Sequence, residues 1–202
     1  MPKESVTAVY YTGVGSRKVT HKQGYELHNT AIRLHRLGLC LRSGGATGAD
    51  SYFEAGVDNN WCDSLSSNDN PSEIFVPYLG FGCKGYKITH LPSRYIPLSA
   101  IDESLVQKAR SIARDVHPAW GKLTDAGRAL HVRNIFQVLG RDLETPSSFL
   151  LCAAPYTDKK NGTPTGGTRT AWMIAKQHGI DCYNLTIPSH KIQFERFLEF
   201  FF

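Results

Sequence analysis

No apolar stretch in this 202-residue sequence approaches the ~18–20 residues that a bilayer-spanning helix requires, so a membrane is not among the expected partners. The opening Met1-Pro2-Lys3-Glu4-Ser5 lacks the hydrophobic core of a secretory leader, and the expected location is cytoplasmic. Cysteine is sparse and unpaired in its spacing. The five, at 40, 62, 83, 152 and 182, form no CxxC and no even set, which excludes a disulfide framework. Cys40, Cys152 and Cys182 fall inside apolar runs, where a reduced thiol packs as a small hydrophobe. Cys62, Cys83 and His90 match no zinc-ligand spacing, so neither a metal nor a cofactor is expected. There is no internal repeat. The formal charge of +5 favours association with anions without specifying one.

What the sequence does hold is a pair of glycine-rich turns: Ser43-Gly44-Gly45-Ala46-Thr47-Gly48-Ala49-Asp50 and Thr165-Gly166-Gly167-Thr168-Arg169-Thr170. Each follows an apolar run that reads as a buried strand (Leu39-Cys40-Leu41; Phe149-Leu150-Leu151-Cys152-Ala153-Ala154) and opens an amphipathic helix (49–57; 168–178). Such a turn lets backbone approach a ligand and aims unpaired N–H groups, at the positive end of the helix dipole, at phosphate.

The rest of the chain keeps the same rhythm. Residues 8–12 predict a first strand that stops at Gly13-Val14-Gly15-Ser16-Arg17, and a helix follows over 22–37. Further strands are expected at 73–78 and 182–185, and helices at 102–116, 125–139 and 189–200. Strands alternating with helices indicate an α/β fold, a Rossmann-like parallel sheet with helices on both faces, as a single domain over 1–202. Residues 58–100 interrupt the pattern as an irregular insertion holding four prolines, at 71, 77, 92 and 97. Phe200-Phe201-Phe202 are expected to dock on the sheet or on a second copy of the chain.

In a parallel sheet, ligands bind beyond the carboxyl ends of the strands. That rim would gather Gly13, Gly15, Ser16 and Arg17 with Ser43, Gly44, Gly45 and Thr47, and with Gly166, Gly167, Thr168, Arg169 and Thr170, as a binding surface for a nucleotide or phosphorylated ribose. Arg17 and Arg169 offer planar forks suited to phosphate. Asp50 and Glu54, four apart on one helix face, are the candidate catalytic pair: two carboxylates could hold a ribose diol, or stabilise an oxocarbenium ion while activating water. First-turn acids also simply complement the helix dipole. Tyr78, Phe81, Tyr86 and Tyr95 interleave with Lys84, Lys87 and Arg94, a pattern compatible with stacking on single-stranded nucleic acid or with packing. His21, His28 and His35 read as a solvated stripe. Arg133, Asn134 and Gln137 lie off the apolar face of their helix and are expected to be exposed or to border the pocket.

These motifs together resemble the SLOG superfamily, the Rossmann group that joins DprA-type DNA-processing proteins to LOG-type phosphoribohydrolases. Residues 13–17 are similar to a G-x-R element, 43–50 to the SGxAxGxD stretch of DprA-type proteins, and 165–170 to the PGGxGT turn of LOG-type enzymes. The order of motifs most resembles DprA-like proteins of tailed bacteriophages, which would put the chain in the host cytoplasm. One departure matters. The LOG pattern runs on to a catalytic glutamate, PGGxGTxxE, whereas Ala171, Trp172 and Met173 follow Thr170 here. Hydrolysis would then have to rest on Asp50 or Glu54. The resemblance leaves three functions open: nucleotide or ribose-phosphate binding with N-glycosidic cleavage, a DprA-like single-stranded DNA-binding mediator that self-associates as a homo-oligomer, and a non-catalytic nucleotide sensor or sponge.

Overall fold

A computed structural model describes residues 8–61, 72–82, 94–158 and 161–201, with side chains omitted at 59–61. Its centre is a parallel sheet of six strands among the described residues, ordered β4-β3-β2-β1-β5-β6. The strands are β1 (Val9–Gly15), β2 (Leu39–Ser43), β3 (Glu73–Val76), β4 (Tyr95–Pro97), β5 (Phe149–Ala153) and β6 (Asp181–Asn184). β2 and β5 are buried along their whole length, as strands covered on both faces must be.

Helices α1 (His21–Arg36), α2 (Ala49–Trp61) and α6 (Pro188–Phe201) cover one face. Leu27, Ala31 and Leu34 of α1 pack there with Phe53 of α2, Phe194 of α6, and Tyr11 and Phe149 of the sheet. Helices α3 (Glu103–Val116), α4 (Asp125–Leu139) and α5 (Thr168–Gln177) cover the other, where Val106, Ile135, Phe136 and Trp172 meet Phe75 and Leu150. Local signals set the helix starts. Thr20 and Gln23 form a reciprocal capping box on α1, and Asp102 and Thr124 cap α3 and α4.

The chain leaves β1 through α1 on one face and leaves β5 through α5 on the other. Neighbouring strands β1 and β5, paired from Tyr11–Phe149 to Gly15–Ala153, therefore part company at their carboxyl ends. That divergence opens a crevice at the point where strand order reverses, the ligand position general to this architecture.

The structure corrects the sequence reading in several places. β1 runs on to Gly15, because Gly13 and Val14 pair with Leu151 and Cys152 rather than turning away. β4 was not expected: Tyr95–Pro97 adds a short edge strand beside Ile74–Val76, so the 58–100 segment contains the end of α2 and two strands. Phe200 and Phe201 do not dock on the sheet; they are 83% and 61% exposed, and Phe194 and Phe197 of the same helix pack on Phe149 and Tyr183 instead. Cys40, Cys152 and Cys182 are buried free thiols. Cys62, Cys83, Tyr86, Lys84, Lys87, His90 and Phe202 lie outside the described residues.

Candidate functional site

Backbone contacts first lock the β1 and β2 turns together. The Ser16 N–H donates to the Ala153 carbonyl at 2.8 Å, and the Ser16 carbonyl accepts the Ala49 N–H at 3.0 Å. Gly48 makes this possible: its φ of +89° is the left-handed region, and a Cβ there would strike Ser16 and Arg17 backbone. The start of α2 is thereby fixed against Arg17.

The third turn is held from α4. Asn134 Nδ2 donates to the Gly167 carbonyl at 2.9 Å, and His131 Nδ1 lies 2.8 Å from Thr170 Oγ1. Gly167 is the N-cap of α5 and supplies no side-chain cap, and the Arg169 and Thr170 N–H groups turn back to the Gly166 and Gly167 carbonyls, each at 3.2 Å.

Between these turns lies a cavity of about 470 Å³, lined by Gly15 at the end of β1 and Ser16, Arg17 and Lys18 just after it, Ala46 and Asp50 from the second turn, Gly166, Gly167 and Thr168 from the third, and a face of α4. Two further cavities share its walls. One, of about 300 Å³, adds Thr47, Tyr78, Gly80, Phe81 and Gly82 beyond Arg17 and Ala46. The other, also about 300 Å³, adds His117, Pro118, Arg169 and Thr170 beyond His131, Gly166 and Gly167. The three share lining residues at the carboxyl edge of the sheet, aromatic side chains lining one outer cavity and a guanidinium the other.

The expected site residues separate by position. Gly15, Ser16, Arg17, Asp50, Gly166, Gly167 and Thr168 line the central cavity, while Thr47, Arg169 and Thr170 line its neighbours. Gly13 and Ser43 sit inside the sheet, joined by a 2.8 Å bond from Ser43 Oγ to the Gly13 carbonyl. Gly44 and Gly45 are spacers: Val76 Cγ1 stands 3.1 Å from where a Gly45 Cβ would be, and Arg133 and Gln137 occupy the place a Gly44 Cβ would take. Glu54 lies behind Asp50, outside the lining of all three cavities, and accepts the Tyr95 hydroxyl at 2.6 Å.

The electrostatics follow from burial. Asp50 Oδ2 is 3.3 Å from Arg133 Nη1, both side chains nearly sealed from solvent. Burial raises the Asp50 carboxyl above its ordinary value and lowers the Arg133 guanidinium, each partly offset by the other. Burial also pushes Glu54 up to about 7, opposed by the Tyr95 hydrogen bond. His131 is held down at about 4 by burial, with the nearby His117 and Arg133 charges adding to it, and is neutral at physiological pH. Arg94 is tied to Asp58 by two hydrogen bonds.

Arg133, Asn134 and Gln137 are buried, not exposed, and they border the pocket. From His131 to Leu139 every residue of α4 is buried, since one side packs on the sheet and its neighbours while the other forms the cavity wall. A polar residue on such a helix reads as solvent-facing when only the apolar stripe is counted. The signal available was the cluster itself, Arg133-Asn134 with Gln137 one turn on. Among the described residues, no group of three or more His, Cys, Asp or Glu side chains is placed to hold a metal ion, and no helix is long and apolar enough to cross a membrane.

No protein-family model matches the chain, and no curated protein matches its sequence. Among solved structures, that of DNA processing protein A from Helicobacter pylori, reported for its single-stranded DNA binding mode, is similar over 88% of this chain and 65% of that one, at 12% identity and a TM-score of 0.44. A likeness at that level carries no functional weight.

Proposed function

We propose that the three cavities act as one groove that binds single-stranded DNA, with a phosphate at the start of α5 and neighbouring nucleotides running toward Tyr78 and Phe81 on one side and Arg169 on the other. The observation that supports this reading is that three cavities share lining residues along the carboxyl edge of the sheet, where successive nucleotides would sit. Its parts match the chemistry of a strand. Helix N–H groups and the exposed Arg17 suit phosphates, and exposed Tyr78, edge-on to Phe81 at 5.5 Å, offers a platform for a base.

A second reading is a free nucleotide in the central cavity alone, whose 470 Å³ falls within the ~300–1,000 Å³ usual for small-ligand sites. Cleavage of an N-glycosidic bond has less to support it. Asp50 is engaged by Arg133, and Glu54 is engaged by Tyr95 away from the cavity.

Fluorescence anisotropy of a labelled single strand across a salt series tests the proposal. Binding should weaken as salt rises, and Arg17→Ala and Arg169→Ala should each weaken it and reduce the logarithmic salt slope by roughly 0.7, the single-strand value per phosphate neutralised. Unchanged slopes in both variants would remove the groove as the strand's path.

A further inference from the structure

The outer cavity beyond Gly166 and Gly167 is lined by His117, His131, Arg169 and Thr170, and among the described residues none of its lining side chains is acidic. Its two imidazoles touch. His117 closes α3, His131 lies on α4, and their ring centroids are 4.3 Å apart. Each ring is held through Nδ1: that of His117 accepts the Ala119 N–H at 3.2 Å, and that of His131 lies 2.8 Å from the Thr170 hydroxyl. Among the described residues neither Nε2 has a protein partner, and neither is sealed from solvent, so each ring keeps a nitrogen for the cavity.

Burial holds the His131 imidazole down at about 4, and the His117 and Arg133 charges add to it. The other charged groups around it are Arg169 on α5 and, lining the central cavity that His131 shares, Arg17, Lys18 and Asp50. Glu54 stands behind Asp50. A phosphate in the outer cavity changes this balance, because an anion within ~4–6 Å favours an imidazolium and offsets the like charges that oppose one. Thr170 suits either state, since its hydroxyl donates to a bare Nδ1 and accepts from a protonated one. Resting on the reading of the groove as a DNA site, we propose that His117, His131 and Arg169 form a subsite for one backbone phosphate, and that His131 takes up a proton from solvent as the phosphate enters. The strand is then held more tightly in mild acid than at neutral pH.

The test is the anisotropy of labelled oligo-dT, whose base gains no proton in this range, at constant ionic strength from pH 7.5 to roughly 5.5. A neighbouring anion favours the protonated ring by roughly one to three powers of ten; two, applied to a group held at about 4, strengthen binding about fourfold over that interval. His131→Asn should lose this rise. Thr170→Val, close in shape, should lose it as well, because a proton on Nδ1 then has no acceptor. Glu54 also changes charge near neutrality, so Glu54→Gln is the control and should keep the rise. Titration calorimetry in two buffers of different ionisation enthalpy should show proton uptake by the wild type that His131→Asn lacks. Melting curves establish that the variants fold, and if one does not, the other decides. A flat wild-type profile, a rise that persists in the folded variants, or a rise that Glu54→Gln abolishes overturns the proton-taking role and leaves the groove reading standing. Failure to bind any strand at any pH, mixed-sequence DNA included, overturns the groove reading itself.

Discussion

The Arg133 guanidinium stands 3.3 Å from Asp50 Oδ2, over Gly44, which has no side chain to displace it. The first glycine turn thus does something other than cradle phosphate at this position. It makes room for a cation carried by α4, and α2 supplies the counter-charge. Removing either partner leaves a buried charge unpaired.

Asp50→Ala should therefore lower stability by about 3–5 kcal/mol, the range for stranding one member of a buried pair. Urea unfolding reads this directly. A loss under 1 kcal/mol would mean that Arg133 finds water or another partner at little cost.

Gly44→Ala should act on the same pair from the other side. Its new methyl group falls where Arg133 now lies and beside Gln137, so the guanidinium must leave the cavity wall. Overpacking of this kind costs roughly 1–3 kcal/mol. Strand binding should fall with it, whereas Gly38→Ala, at a glycine with nothing within 4 Å, serves as a control that changes only local backbone strain. Equal binding by the Gly44 variant and the wild type would contradict the placement of Arg133 in the site.

Glu54 makes stability fall as pH rises through neutrality. Its folded-state value of about 7 lies above the ordinary 4.5, so the folded protein holds the proton more tightly than the unfolded chain between those limits. The contribution is complete below about 4.5 and is lost as pH rises through about 7. Comparing melting temperatures of the wild type and Glu54→Gln from pH 6.5 to 8 isolates it: the wild type should lose ground to the variant with rising pH. Parallel curves would mean that Glu54 titrates normally.

His131 has the opposite sign. Held down at about 4 against an ordinary 6.5, it costs the folded state stability as pH falls from 6.5 toward 4, because the unfolded chain takes up the proton first. Between about 4.5 and 6.5 the two groups oppose each other, so a nearly flat wild-type profile there should acquire a slope in either variant. His131→Asn should flatten the acid limb; an unchanged limb would place the acid sensitivity elsewhere.

The architecture was legible because its signals are local and periodic. The bounds of α4 over 125–139 follow from Thr124 and from the spacing of Val132, Ile135, Phe136 and Leu139, and the buried strands β2 and β5 announce themselves as short apolar runs. β4 is three residues long at the sheet edge and has no such run, so nothing short-range marks it. The rim turns could be named from their glycines, but not which glycines face a ligand. Gly13 continues a strand and Gly44 makes space for a side chain 89 positions away, facts set by tertiary pairing alone. The burial of Arg133 and Gln137 was hidden for the same reason: a helix face that lines a cavity carries the same polar residues as one that faces water.

The most direct measurement is the affinity of the wild-type protein for a length series, from a 5′-mononucleotide through short single-stranded oligonucleotides, at fixed salt. A groove along three cavities that share lining residues predicts affinity that climbs with length and then levels off once the groove is filled, with the mononucleotide a weak competitor. A mononucleotide that binds as tightly as the oligonucleotides and displaces them fully would contradict the strand-binding account and leave the central cavity as a small-ligand site.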